Sequence, residues 1–369
     1  MLRSVVRVGL LAGWAITGWL IDPGRATAQT VRLALDGSVY EGRPVAWSTK
    51  KVSMMLRDGS FLEFPPDDAR QFSVVSQDFR PYSAGEMRAT LLKEFSAEYD
   101  VTGTGQYLVV HPRDQREVWS GRFEQLYRSM LGYFRSRGYT VERPQFPLVA
   151  VVFPTQQEFI NYAAQHDLAG VGPYTLGLYH ELTNRIYLYD VTAGQPDSVS
   201  WYVNAETIIH EAAHQTAFNL QIHKRLANTP SWVIEGVGTM FEARGVWDSQ
   251  AYPNQVDRVN ARQLELARTY LSRDDSVSSL QQLLTDDMLF KADFERAYSL
   301  AWALTFYLAE KEPQSYTRYL RQLSQLNPGE EYTPEDRLRD FAHHFGRDMK
   351  LLDARLKRFI TTLPDSSRR

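Results

Sequence analysis

Two residue types that bind metals and move protons crowd into one stretch, Asn204 to Glu242. His210-Glu211-Ala212-Ala213-His214 sets two imidazoles four residues apart, with a carboxylate directly after the first. On an α-helix, positions i and i+4 stand one above the other on one face. Both imidazoles can therefore reach a single metal ion, and Glu211 lies to the side, near any water on that ion. Downstream, Pro230-Ser231-Trp232-Val233-Ile234-Glu235-Gly236 supplies Glu235 as a candidate third ligand. A catalytic zinc site takes three protein donors and keeps a fourth position for water, whose pKa falls to about 7. A neighbouring carboxylate must then take the proton and pass it to the leaving amine, the role that suits Glu211.

The rest of the chain limits the alternatives. It has no cysteine, so any metal must be held by histidine and carboxylate. His111, His166, His180 and the His343-His344 pair show no ligand spacing, and His223 is the rival third ligand. Asn204 is the expected N-cap of the histidine-bearing helix, and Ala205, Ala212, Ala213 and Ala217 let that helix pack closely. Buried without a metal, two histidines and a glutamate would need other polar partners.

HEAAHQ, then PSWVIEGVGTMFE, then Ala297-Tyr298-Ser299-Leu300-Ala301-Trp302-Ala303-Leu304 with Tyr307-Leu308 resemble the gluzincin superfamily of zinc metallopeptidases. More narrowly, they resemble its peptidase-MA-like bacterial families, many of unknown function. The resemblance covers residues 90–362. It implies that Glu235 is the third zinc ligand and that a C-terminal helix supplies an oxyanion donor, for which Tyr298 is the candidate. Two departures stand out. Thermolysin-like members carry an Asp four residues after the third ligand to hold the first histidine, where this chain has Thr239. A substitute among Glu206 and Glu242 is expected. The aminopeptidase signature G-x-M-E-N is also absent, which points to internal peptide bonds.

The elements that must position these groups read as α+β. Residues 1–28 have the layout of a signal peptide: Arg3 and Arg7, an apolar run over 8–21, and Ala26-Thr27-Ala28. Val31, Leu33 and Leu35 alternate into Asp36-Gly37, and Val52, Met54 and Leu56 alternate into Asp58-Gly59, two hairpin signals. They predict a small SH3-like β-barrel over 29–75, followed by a polar linker over 76–90. An α+β zinc-peptidase-like domain is expected over 91–245, with a hairpin at 99–110, a helix at 117–137, a strand at 148–153 and a helix capped by Thr155. Tyr174–Tyr179 and Ile186–Tyr189 read as a hairpin whose edge lies beside the histidine helix, where a substrate backbone could add as a strand. A helical subdomain over 246–363 and a polar tail at 364–369 complete the chain.

Composition fits an exported globular protein. The chain has 369 residues, 43% hydrophobic and 23% charged, with a formal charge of −3 that becomes −5 without residues 1–28. No basic stripe suggests nucleic acid. The expected function is that of an exported, periplasmic or extracellular, metallopeptidase with one zinc ion and a peptide or protein substrate. Its barrel would serve an envelope partner, and no span would remain in the membrane after signal cleavage. Two other functions fit the same residues: a non-catalytic zinc-containing envelope protein, and a hydrolase of a non-peptide amide.

Overall fold

Five short strands come first: β1 (Thr30–Leu35), β2 (Ser38–Trp47), β3 (Val52–Leu56), β4 (Phe61–Phe64) and β5 (Arg70–Ser76). The computed structural model describes residues 29–113, 116–191 and 202–364, the side chains of 116–118 and 202–207 excepted. The expected signal peptide, and all of the tail but Pro364, lie outside these residues. Asp36 and Gly37 both take positive φ, 49° and 79°, the left-handed pair that a two-residue hairpin turn requires. Alternation then buries Val31, Leu33 and Leu35 against Val52, Met54 and Phe64.

The strands form an antiparallel sheet in the order β4-β3-β2-β1-β5. No β4–β5 pairing closes it among the described residues, so the expected barrel is an open sheet. The outer side of β4 is occupied elsewhere: the Phe61 N–H donates to Leu182 O at 2.6 Å. The expected linker is corrected too. Ser83 and Glu86 cap each other reciprocally and start α1 (Ala84–Glu94), whose Met87 and Leu91 are fully buried.

The second sheet holds β6 (Tyr99–Thr104), β7 (Tyr107–Pro112), β8 (Leu148–Phe153), β9 (Gly177–His180) and β10 (Arg185–Tyr189). Its order is β6-β7-β8-β10-β9, with β8 parallel to both neighbours and β9 at the edge. Helices α2 (Arg116–Ser136) and α3 (Gln156–Gln165) lie between its strands in sequence. Both faces are covered, as the near-continuous apolar run of β8 demands. Val109, Ala150 and Ile186 pack on one side, while Val110, Val151 and Tyr187 pack with α1 and α3 on the other.

Against the first of those faces lies α4 (Tyr202–Asn219), the histidine helix. Asn204 sits inside it, not at its cap. The chain continues through α5 (Ser231–Phe241), α6 (Arg244–Trp247), α7 (Ala261–Leu271), α8 (Ser276–Thr285) and α9 (Met288–Ala292). It closes with α10 (Phe294–Lys311), α11 (Pro313–Leu323), α12 (Pro334–Phe345) and α13 (Met349–Thr362). These helices share one apolar core with α2, α4 and the sheet. The architecture is α+β, with strands concentrated in the first half and helices in the second.

Candidate metal centre

Helix periodicity delivers the two imidazoles as predicted. His210 Nε2 and His214 Nε2 stand 2.9 Å apart, one turn from each other on α4. From α5, Glu235 brings Oε2 to 3.2 Å from the first and 3.5 Å from the second. All three side chains are sheltered, between 10 and 21% exposed. A triangle with those sides has a circumradius of about 1.9 Å. A point about 2.0–2.1 Å from all three atoms, the usual metal–nitrogen distance, therefore lies just off its plane. The donor set fits a small divalent cation with an open position. Among the described residues it is the group that brings three such donors together, and His223 is not part of it.

Room for the donors comes from glycines. A Cβ on Gly238 would stand 2.9 Å from Cε1 of both His210 and His214, so any side chain there would push the imidazoles away. A Cβ on Gly236 would collide with Thr305 Oγ1 and lie 2.7 Å from Ala301 O, both on α10. Gly236 thus lets α10 close on α5. Trp232 is fully buried and stacks with Tyr319, anchoring the helix that carries Glu235.

The acid missing at Thr239 is supplied one turn later. His210 Nδ1 donates to Glu242 Oε1 at 2.9 Å, and Asn260 Nδ2 donates to Glu242 Oε2 at 2.7 Å. Glu235 and Glu242 are seven residues apart, two turns along one face. A carboxylate on Nδ1 fixes the tautomer that leaves the Nε2 lone pair free for a cation. Thr239 itself is buried; its carbonyl accepts from Asn260. Burial opposes a charge on His210, yet hydrogen bonds from Glu235 and Glu242 outweigh it and raise the pKa well above the usual value. Burial likewise disfavours an ionised Glu235, but the charge of His214 and the hydrogen bonds of both imidazoles hold it well below the carboxylate range. The two shifts are the two sides of one pairing, each partner favouring the other's charge.

Glu211 is not one of the three donors and reaches the edge strand. Its Oε2 accepts the backbone N–H of Tyr179, in β9, at 2.6 Å. The hairpin therefore lies beside the histidine helix, where it was expected. Glu211, Gln215 and Asn219 follow at intervals of four and form a second polar stripe on α4. Gln215 Nε2 donates to the carbonyls of Val149 and Asn184, and Asn219 Nδ2 donates to Asn184 Oδ1. These buried bonds fasten the helix to the sheet, and the spacing of the stripe was readable in the sequence.

Tyr298 stands against the centre. Its ring stacks on His210 at 6.3 Å between centroids, and its hydroxyl feels the Glu235 carboxylate. Burial, then the charges of Glu235, Glu211 and Glu242, push its pKa far up, so the phenol keeps its proton as a donor. Phe290 and Phe294 flank the ring. His223 is fully buried, and neither of its ring nitrogens has a hydrogen-bond partner among the described residues. Sequence reasoning also missed Arg225, buried beside the hairpin turn. Its Nη1 donates to Gly59 O at 2.7 Å and Glu181 O at 3.2 Å, and its guanidinium covers the Phe61 ring.

The family model described as "Protein of unknown function (DUF1570)" matches residues 204–330. That span holds the three donors, Glu242, Asn260 and Tyr298, and leaves both sheets outside. No curated protein matches the chain.

Proposed function

We propose that this protein is an exported zinc-dependent hydrolase that cuts internal peptide bonds. The observation that carries this reading is the convergence of His210, His214 and Glu235 on one point with Glu211 directly beside it. Two imidazoles and one carboxylate, with no thiolate, match catalytic zinc, which keeps one position open. A bound zinc ion makes water available as a nucleophile near neutral pH and polarises a carbonyl.

The protein's own groups do the rest. Glu211 accepts the proton of the attacking water and returns it to the leaving nitrogen. Glu242 orients His210, and Tyr298 donates a hydrogen bond to the developing oxyanion. The outer side of β9, next to Glu211, suits an extended peptide that adds as a strand and brings its carbonyl to the centre. Export rests on the signal-peptide layout of residues 1–28. Among the described residues no helix is long and apolar enough to cross a membrane.

The experiment is metal analysis of the purified protein together with digestion of a broad peptide library, wild type against Glu211→Gln. The proposal expects about one zinc per chain in both proteins and cleavage by the wild type alone. A wild type that holds zinc and cleaves no more than Glu211→Gln sinks the peptidase reading.

A further inference from the structure

Several sheltered arginines of this protein meet carboxylates. Arg185 meets Glu94 at 2.7 Å, Arg137 and Arg258 share Glu310 at 2.8 and 2.9 Å, and Arg337 meets Asp287 at 3.1 Å. Arg43 and Arg225 have no ion pair among the described residues. Arg225 is 8% exposed and gives Nη1 to two carbonyls. Arg43 is half-buried, with the Met55 sulfur at 3.4 Å and the Phe79 ring at 4.9 Å. Burial alone lowers the pKa of Arg43, with no acid near enough to offset it. A sheltered charge without a counter-charge is costly, and a bound anion would remove that cost.

Both arginines line one cavity of about 180 Å³ between the N-terminal sheet and the end of α4. Arg143 and Lys224 line it too, also without an ion pair among the described residues, and the lining holds one carboxylate, Glu142. Asp58 and Glu181 reach Arg225 by charge, but Asp58 is bonded to Ser60 and lies 3.9 Å from Arg185. Capping of α4 does not account for Lys224 and Arg225. The Thr216, Ala217 and Phe218 carbonyls at its end already accept backbone amides from the segment that follows. The negative dipole of that helix end is about half a charge, against four cations. The basic wall also stands out on a chain whose formal charge is −3. Phe61, Phe146 and Phe218 give the cavity an apolar side. Guanidinium forks and an ammonium suit phosphate oxygens, and the rings suit an organic body attached to them.

We propose that this cavity is an anion site that takes a phosphate monoester with a small apolar or aromatic body, held by Arg43, Arg143, Lys224 and Arg225. None of the four is a metal donor, so the site stands whether or not the centre cuts peptides.

Isothermal titration calorimetry of the full chain with inorganic phosphate and with phenyl phosphate, at constant ionic strength in chloride, tests the site. Saturable binding of either is expected, phenyl phosphate the tighter, with a rise in Tm as it binds. Arg43→Gln and Lys224→Gln should each weaken binding about tenfold or more. Without phosphate their Tm should be unchanged or raised, because each removes an unpaired charge. Arg32→Gln, on the same sheet but paired with Glu41, should bind like the wild type. Vesicles containing phosphatidic acid separate the two sources of this chemistry. Co-sedimentation that phenyl phosphate competes away assigns a lipid headgroup, and its absence assigns a soluble ester. A wild type without saturable binding, phenyl phosphate no tighter than inorganic phosphate, equal affinity in Arg43→Gln, Lys224→Gln and the wild type, or an equal loss in Arg32→Gln would each overturn the proposal.

Discussion

The Tyr179 backbone N–H, on the edge strand, donates to Glu211 Oε2 at 2.6 Å. The proposed general base and the proposed substrate edge are thus joined before any substrate arrives. Glu211→Ala frees that amide, while Glu211→Gln leaves an oxygen to accept it. Hydrogen exchange at Tyr179 should accelerate in the alanine variant and stay near wild type in the glutamine variant. Equal rates in all three proteins would show that Glu211 does not hold the strand.

Glu242 orients a proposed ligand without being one. Glu242→Ala should lower metal affinity by about 10–100-fold, the usual cost of losing a carboxylate behind a ligating histidine. Asn260→Ala, which removes the donor on the other oxygen, should have a smaller effect in the same direction. Titration against a competing chelator measures both.

The two glycines of α5 separate metal binding from folding. Gly236→Ala drives a methyl into Thr305 and Ala301 and should cost about 1–3 kcal/mol of stability, the range for overpacking a tight interface. Gly238→Ala presses on two imidazoles instead and should lower metal affinity more than it lowers Tm. Thermal unfolding and chelator competition on the same two proteins test the split.

His223 sets an acid limit on stability. Burial, reinforced by the charge of His214, lowers its pKa to about 3, so the folded protein holds it neutral. The unfolded chain takes up the proton near pH 6.5, and folding stability drains away as pH falls from there toward 3. His223→Phe should therefore match wild type near pH 7 and exceed it by up to about 3 kcal/mol at pH 4.5. His210 has the opposite sign. Its raised pKa gives stability that is full below about 6.5 and lost as pH rises through the folded value. Urea unfolding of His223→Phe at both pH values isolates the His223 contribution, and metal affinity should not change.

Local periodicity made much of the fold legible. The alternation in β1, β3 and β10, the Thr155 cap and the four-residue spacing of His210 and His214 depend on neighbours in sequence, and each appears where expected. Glu235 was legible as a candidate third ligand from the Pro230-Ser231-Trp232-Val233-Ile234-Glu235-Gly236 motif, not from packing. Two features depended on distant partners instead, and one local signal was passed over. Closure of the N-terminal strands failed because Leu182 takes the edge of β4. The acid behind His210 could not be chosen from sequence, since Glu242 reaches Nδ1 only through the way α5 packs on α4. Residues 76–90 read as a linker although Ser83 and Glu86 spell a reciprocal cap, a local signal that polar composition obscured.

The turn between β3 and β4 has a mechanical consequence. Gly59 O receives Arg225, the Phe61 N–H holds Leu182 O, and Arg225 also grips Glu181 O, two residues from the Tyr179 amide. The N-terminal sheet is therefore a brace whose footing is the tip of the edge hairpin. Load applied at its β5 edge would pass across the strands into that footing and arrive beside Glu211, so the sheet and the centre share one frame.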